Sequence, residues 1–154
     1  MGARGRIERI VSDVERRNQN KVKLMVFGFD AEPAEITAVL GVEPTNAWLK
    51  GDAVTSTALN GQPSNGWAKL SPADPDRTTC EEGVRALLSS LPGPETFRAL
   101  PAGCDVQVTC TLFGYTERPY VYLPRDLLAA LAAIGASLDV DVYDLTATHV
   151  DVDS

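Results

Sequence analysis

Residues 104–112, CDVQVTCTL, alternate without a break. Cys104, Val106, Val108, Cys110 and Leu112 take one side, and Asp105, Gln107, Thr109 and Thr111 the other. A period of two predicts a β-strand with one buried and one wetter face, because successive side chains point to opposite sides. Downstream, PRDLLAALAAIGASLDVDVYDL (residues 124–145) predicts a helix and then a second strand. The helix turns Leu127, Leu128, Leu131 and Ile134 inward and ends near Gly135. In the strand, Leu138, Val140 and Val142 alternate with Asp139, Asp141 and Tyr143. Between the first strand and the helix, RPYVYLP reads as one more strand.

Upstream of this block, KVKLMVFGF (residues 21–29) is β-branched and aromatic. Its hydrophobicity is nearly continuous after Lys23, which predicts a strand buried on both faces. A short helix follows, with Pro33 in its first turn, Glu32 and Glu35 at its electropositive end and Gly41 as its C-cap. A short strand is expected around Trp48, stopped by Gly51. Residues 52–66 form the longest irregular stretch, with the Asn60-Gly61 turn signal at its centre. The strand GWAKL and the turn cluster SPADPD come next. Thr79 and Glu82 have capping-box spacing and open a helix striped by Val84, Leu87, Leu88 and Leu91. The run Pro92-Gly93-Pro94 ends it, and a short helical segment with Phe97 and Leu100 leads to Gly103.

Strands and helices that do not alternate strictly predict an α+β fold. The expected form is a two-layer sandwich of a mixed, mostly antiparallel sheet with helices packed mainly on one face. The Pro33–Gly41 and Pro124–Gly135 helices, each set between strands, hint at two related strand–helix–strand halves. Residues 1–20 are expected as a basic amphipathic helical extension, with Ile7, Ile10, Val11 and Val14 on one stripe. Residues 21–145 form the single α+β domain, and 146–154 an acidic tail or short edge strand.

Composition narrows the chemistry. The chain has 154 residues and a formal net charge of −7. Residues 1–23 hold seven basic and three acidic side chains, and residues 24–154 hold seven basic and 18 acidic ones, a balance of −11. So acidic a body repels phosphate backbones, which argues against nucleic-acid binding and suits a basic partner surface. No apolar run reaches the roughly 18 residues a membrane span needs, and no secretory signal opens the chain. The odd cysteine count (Cys80, Cys104, Cys110) without any C-x-x-C signals neither a disulfide framework nor a zinc ribbon. A cytoplasmic location is expected. One histidine, His149, cannot complete a zinc site or a serine triad, and no phosphate loop or dinucleotide fingerprint occurs. No cofactor is expected.

Three phrases carry a resemblance. ITAVLGVEPTNAWLKGD, SNGWAKLS and LLAALAAIGASLDVDVYDL resemble, in order, the motifs of the bacterial domain-of-unknown-function 4279 family. The resemblance covers roughly residues 21–145. It implies a small α+β domain of the bacterial cytoplasm and brings no catalytic residues with it.

The candidate binding residues are Trp48, Lys50, Asp52, Trp67, Asp139, Asp141 and Tyr143. Trp48 and Trp67 flank the long irregular stretch, with Lys50 and Asp52 beside them. An aromatic-walled cleft with a polar rim is the functional reading, and two core tryptophans with satisfied indoles the simpler one. Asp139 and Asp141 lie about 6.6–6.8 Å apart on one strand face, close enough to share a divalent cation or divide acid and base roles. A solvated strand face that deters edge pairing explains them as well. His149 with Asp151 and Asp153 is at most a weak metal run. Cys104 and Cys110 are expected in the core, and Cys80 in a helix first turn, where the dipole favours a thiolate.

The reading that follows is a non-enzymatic binding or protein-interaction domain, inhibitor-like or immunity-like, with an unknown protein or small-molecule partner. The alternative is a divalent-metal-dependent enzyme using Asp139 and Asp141. Neither membrane nor nucleic acid is an expected partner, and the chain is expected as a monomer or homodimer.

Overall fold

The computed structural model describes residues 17–53 and 61–146. Strand β1 (Gln19–Phe29) is followed by α1 (Pro33–Leu40), β2 (Asn46–Trp48) and β3 (Asn65–Leu70). Then come α2 (Cys80–Ser89), α3 (Pro94–Arg98), β4 (Asp105–Gly114), α4 (Arg125–Ala133) and β5 (Ala136–Asp144). The strands form one open sheet in the order β2-β3-β1-β4-β5. The β2–β3, β3–β1 and β1–β4 pairs are antiparallel, and β4–β5 is parallel. A parallel neighbour requires a crossover, and α4 provides it. The α+β architecture with a mixed, mostly antiparallel sheet is therefore present. The two strand–helix–strand units are wired differently, since β1 and β2 are separated by β3 while β4 and β5 pair directly.

The core follows from alternation. Val22, Leu24 and Val26 of β1 and Val108, Cys110 and Leu112 of β4 are buried together with Trp67. Ile36 and Leu40 of α1, Val84 and Leu87 of α2, Phe97 of α3, and Leu127 and Leu131 of α4 complete the same cluster. Helix ends stop where the sequence marks them. Thr79 accepts from the Glu82 N–H while the Glu82 carboxylate accepts from the Thr79 N–H, both at 3.1 Å. Gly41 adopts a left-handed φ of 70° and donates its N–H to the Thr37 carbonyl.

Five expectations change. Leu128, expected to face inward from the last helix, is 49% exposed, while Leu127, Leu131 and Ile134 are buried. β1 begins at Gln19, so its first two residues fall inside the segment expected as an extension. It is not buried on both faces: Lys23, Met25 and Phe27 are only half-buried, because their side chains point away from the cluster that the helices complete. RPYVYLP forms no strand. β4 already has β1 and β5 on its two edges, and Pro119 and Pro124 lack an N–H to donate. The segment still alternates, with Val121 and Leu123 packed on the core and Tyr120 and Tyr122 exposed. Cys104 precedes β4 and is only partly buried. The stripe of residues 7–14, the middle of the 52–66 stretch, and His149, Asp151 and Asp153 lie outside the described residues.

Candidate functional site

The residues that alternate away from the core define a second sheet face. Strand register arranges them in rows. Trp48, Gly66 and Phe27 share one row, and Ala68, Met25, Gln107 and Ser137 the next. Leu70, Lys23, Thr109 and Asp139 form a third, and Lys21, Thr111 and Asp141 a fourth. Gln19, Phe113 and Tyr143 close the array. Aromatic residues therefore stand at both ends, with lysines on the central strand and aspartates on the edge strand between them.

The two ends are built differently. At one, a β-bulge at Gly28 ends the regular pairing of β1 with β3. The extra residue flips Phe29 into the core and leaves Phe27 on the second face. Trp48 fills the space above Gly66, where a side chain would overlap its indole. At the other end, the Phe113 and Tyr143 rings stack with centroids 5.0 Å apart and planes 10° from parallel. Lys21 Nζ sits 5.4 Å from the Phe113 centroid, within cation–π range.

The sequence-based candidates separate accordingly. Trp67 is not a wall of this face. It is fully buried on the core side, and its indole N–H donates to Thr37 Oγ1 at 3.0 Å. Trp48 lies on the opposite face, half-buried, so the two tryptophans do not line one cleft. Lys50 and Asp52 belong to the turn after β2. The Asp52 carboxylate accepts from the Leu49 N–H at 2.8 Å, and the Lys50 N–H donates to Asn65 Oδ1 at 2.7 Å. Asp139, Asp141 and Tyr143 share the second face, all exposed. Among the described residues, no group of three or more His, Cys, Asp or Glu is arranged to hold a metal.

Two asparagines that the sequence reading passed over organise the edges of this face. Asn65 donates to the Ala31 carbonyl at 3.0 Å while accepting from Lys50, so it ties the end of β1 to the turn after β2. Asn18 Oδ1 accepts from the backbone N–H groups of Tyr115, Thr116 and Glu117, and its Nδ2 donates to the Glu117 carbonyl. Their signal was weak, because an asparagine before a strand reads first as a turn former.

The quoted motifs thus encode construction. Gly41 caps α1, and Thr45 bonds twice to β3, donating its N–H to the Ala68 carbonyl and accepting from the Leu70 N–H. Gly66 makes room for Trp48, while Trp67 fills the core behind it. No helix among the described residues is long and apolar enough to cross a membrane. No curated protein and no solved structure matches the chain significantly. A family model does, over residues 18–145, and the chain belongs to the family it describes, domain of unknown function DUF4279.

Proposed function

We propose that this chain is a non-enzymatic, cytoplasmic protein-binding domain, and that the second sheet face together with the β5 edge is its contact surface. The observation that supports this most is apolar exposure on ordered strands. On the second face Leu70 and Tyr143 are each 50% exposed, and on the opposite face of the β5 edge Leu138, Val140 and Val142 are also open. Exposed apolar patches on rigid elements mark interaction surfaces more often than chance exposure does. Among the described residues β5 is an edge strand, and the outer N–H and C=O groups of such a strand can pair with a partner strand. Asp139 and Asp141 add negative charge on the second face, and residues 24–154 carry −11 overall, which favours a basic partner. An acidic protein occupying a basic surface, as an inhibitor or immunity protein does, fits this chemistry.

Native mass spectrometry of the protein isolated from its own host, with and without EDTA, tests the reading. A stoichiometric basic partner is expected. The Asp139→Lys/Asp141→Lys double variant and Leu70→Asp, all at exposed positions, should each weaken its retention at least tenfold while leaving the fold intact. A metal mass lost on chelation, with no partner protein, would replace this reading with the carboxylate-metal enzyme.

A further inference from the structure

Two of the three thiols meet in the core. Cys80 is the first residue of α2 and is 2% exposed, and Cys110 lies in the middle of β4, fully buried. Their placement follows from the packing of α2 on β1. A Cβ on Gly83 would lie 2.8 Å from Val22 Cγ2, so α2 passes directly over Val22 at that point. Val22 is the register partner of Cys110, and Cys80 sits one helical turn before Gly83. Both side chains belong to the same buried cluster, and each thiol shifts the other's ionisation through a side-chain hydrogen bond. Cys104 takes no part, because it lies six residues back along the chain, about 20 Å in a strand.

Of the two, Cys80 lies nearer the surface. Two small recesses, of about 40 and 60 Å³, both reach Cys80. They are bounded by Asn18, Arg118, Pro119 and the exposed Tyr120 and Tyr122. Each has room for a molecule the size of water or hydrogen peroxide. The hydrogen bond from Cys110 holds the Cys80 thiol below its ordinary value, against the opposing effect of burial. The Cys110 thiol is pushed well above its ordinary value, first by the same hydrogen bond and then by burial. Cys80 is therefore the side of the pair that ionises more readily.

We propose that Cys80 and Cys110 are an oxidisable dithiol, which a hydroperoxide converts into an internal disulfide pinning the start of α2 to β4. In the first step the Cys80 thiolate attacks the peroxide and the O–O bond breaks. Cys80 becomes a sulfenic acid, and hydroxide (or alkoxide) leaves and is protonated. In the second, the Cys110 sulfur attacks the Cys80 sulfur. The S–O bond breaks, and the hydroxyl leaves as water with the Cys110 proton. Overall, two thiols and one hydrogen peroxide give one disulfide and two waters. A small dithiol or thiol reductant reverses the change. This site lies on the core side of the sheet and does not depend on the binding face.

The test uses the full chain, reduced, freed of reductant and treated with hydrogen peroxide before alkylation in denaturant. Two of the three cysteines should become unavailable to the alkylating agent, with a mass loss of two hydrogens. Trypsin, which spares the Arg118–Pro119 bond, should then release peptide 78–85 joined to peptide 99–125, with fragment ions placing the bond at Cys110. Dithiothreitol should restore all three thiols, and Cys104→Ser should behave as wild type. In Cys110→Ser, oxidation should stop at a dimedone-reactive Cys80. If that variant does not fold, the wild-type peptide map decides alone. Oxidation of Cys104 with Cys80 and Cys110 still alkylatable would overturn the proposal, as would a link that forms only after denaturation.

Discussion

Trp48 and Gly66 are direct partners across β2 and β3, and the indole occupies the space a side chain at position 66 would need. A methyl group there would overlap Cε2 and Cζ2 of Trp48. Because Trp67 fills the core on the opposite side of the same strand, β3 cannot shift to relieve the clash. Gly66→Ala is therefore expected to lower stability by about 1–3 kcal/mol, the usual cost of overpacking. Urea unfolding followed by tryptophan fluorescence checks this. An unchanged midpoint would mean that Trp48 is not seated on Gly66.

Trp67 tests a different term. Its buried N–H has Thr37 Oγ1 as its partner. Thr37→Val keeps the shape of the side chain and strands that donor, at a cost of about 1–3 kcal/mol. Thr37→Ser keeps a hydroxyl and should recover most of the loss. Equal midpoints for the two variants would show that packing at Thr37, rather than the hydrogen bond, matters.

The start of α2 depends on a reciprocal pair. Thr79→Ala removes the side-chain acceptor for the Glu82 N–H, and the return bond from Glu82 loses its counterpart. A loss of about 1 kcal/mol is expected from thermal or urea unfolding. Glu82→Ala added to Thr79→Ala should cost less than it does alone, because each bond positions the other. Strict additivity in that double-mutant cycle would refute the coupling.

Helices α2 and α4 are joined at the surface by Arg85, which donates to Asp126 at 2.8 and 3.4 Å and to Glu81 at 3.3 Å. The Arg85 hydrogen bond holds the Asp126 carboxyl below its ordinary value. A carboxyl depressed in the folded state stabilises the fold above its unfolded pKa of about 4, and that contribution fades as pH falls through the lower folded value. Wild-type stability should thus drop more steeply below about pH 4 than that of Asp126→Asn. The pair is exposed, so the difference should shrink in high salt. Parallel pH curves for the two proteins would remove Asp126 from the acid response.

Local signals proved readable here, and parity between distant strands did not. The caps at Gly41 and Thr79–Glu82 are short-range geometry, and both are present. The alternation of β4 also carried through, although Thr109 on its wetter side is buried, with Gln107 donating to its hydroxyl. The faces of Trp48 and Trp67 could not be read, because 18 residues separate them and only the β2–β3 register decides which way each points. The bulge at Gly28 had the same effect on Phe27 and Phe29. Residues 118–124 show the converse error. Their alternation is real and packs Val121 and Leu123 inward, but alternation cannot reveal that both edges of β4 are already taken by β1 and β5.

Asp139 and Asp141 decide between the two functional readings, and divalent metal is the means to ask them. They sit beside Thr109 and Thr111, and no third acidic, histidine or cysteine side chain among the described residues joins them in a ligand set. Calcium needs six to eight oxygens, and magnesium recruits substrate phosphates when only one or two carboxylates are offered. Two carboxylates one strand repeat apart should therefore bind at millimolar strength or weaker. At a metal concentration equal to Kd the added stability is only about 0.4 kcal/mol. For a domain this size that moves Tm by about 1 °C. Millimolar Mg²⁺, Mn²⁺ or Ca²⁺ should produce no more than this, and EDTA should produce nothing. A shift of several degrees that disappears in Asp141→Asn would require ligands beyond these two, and would make the last strand a metal centre instead of an acidic docking edge.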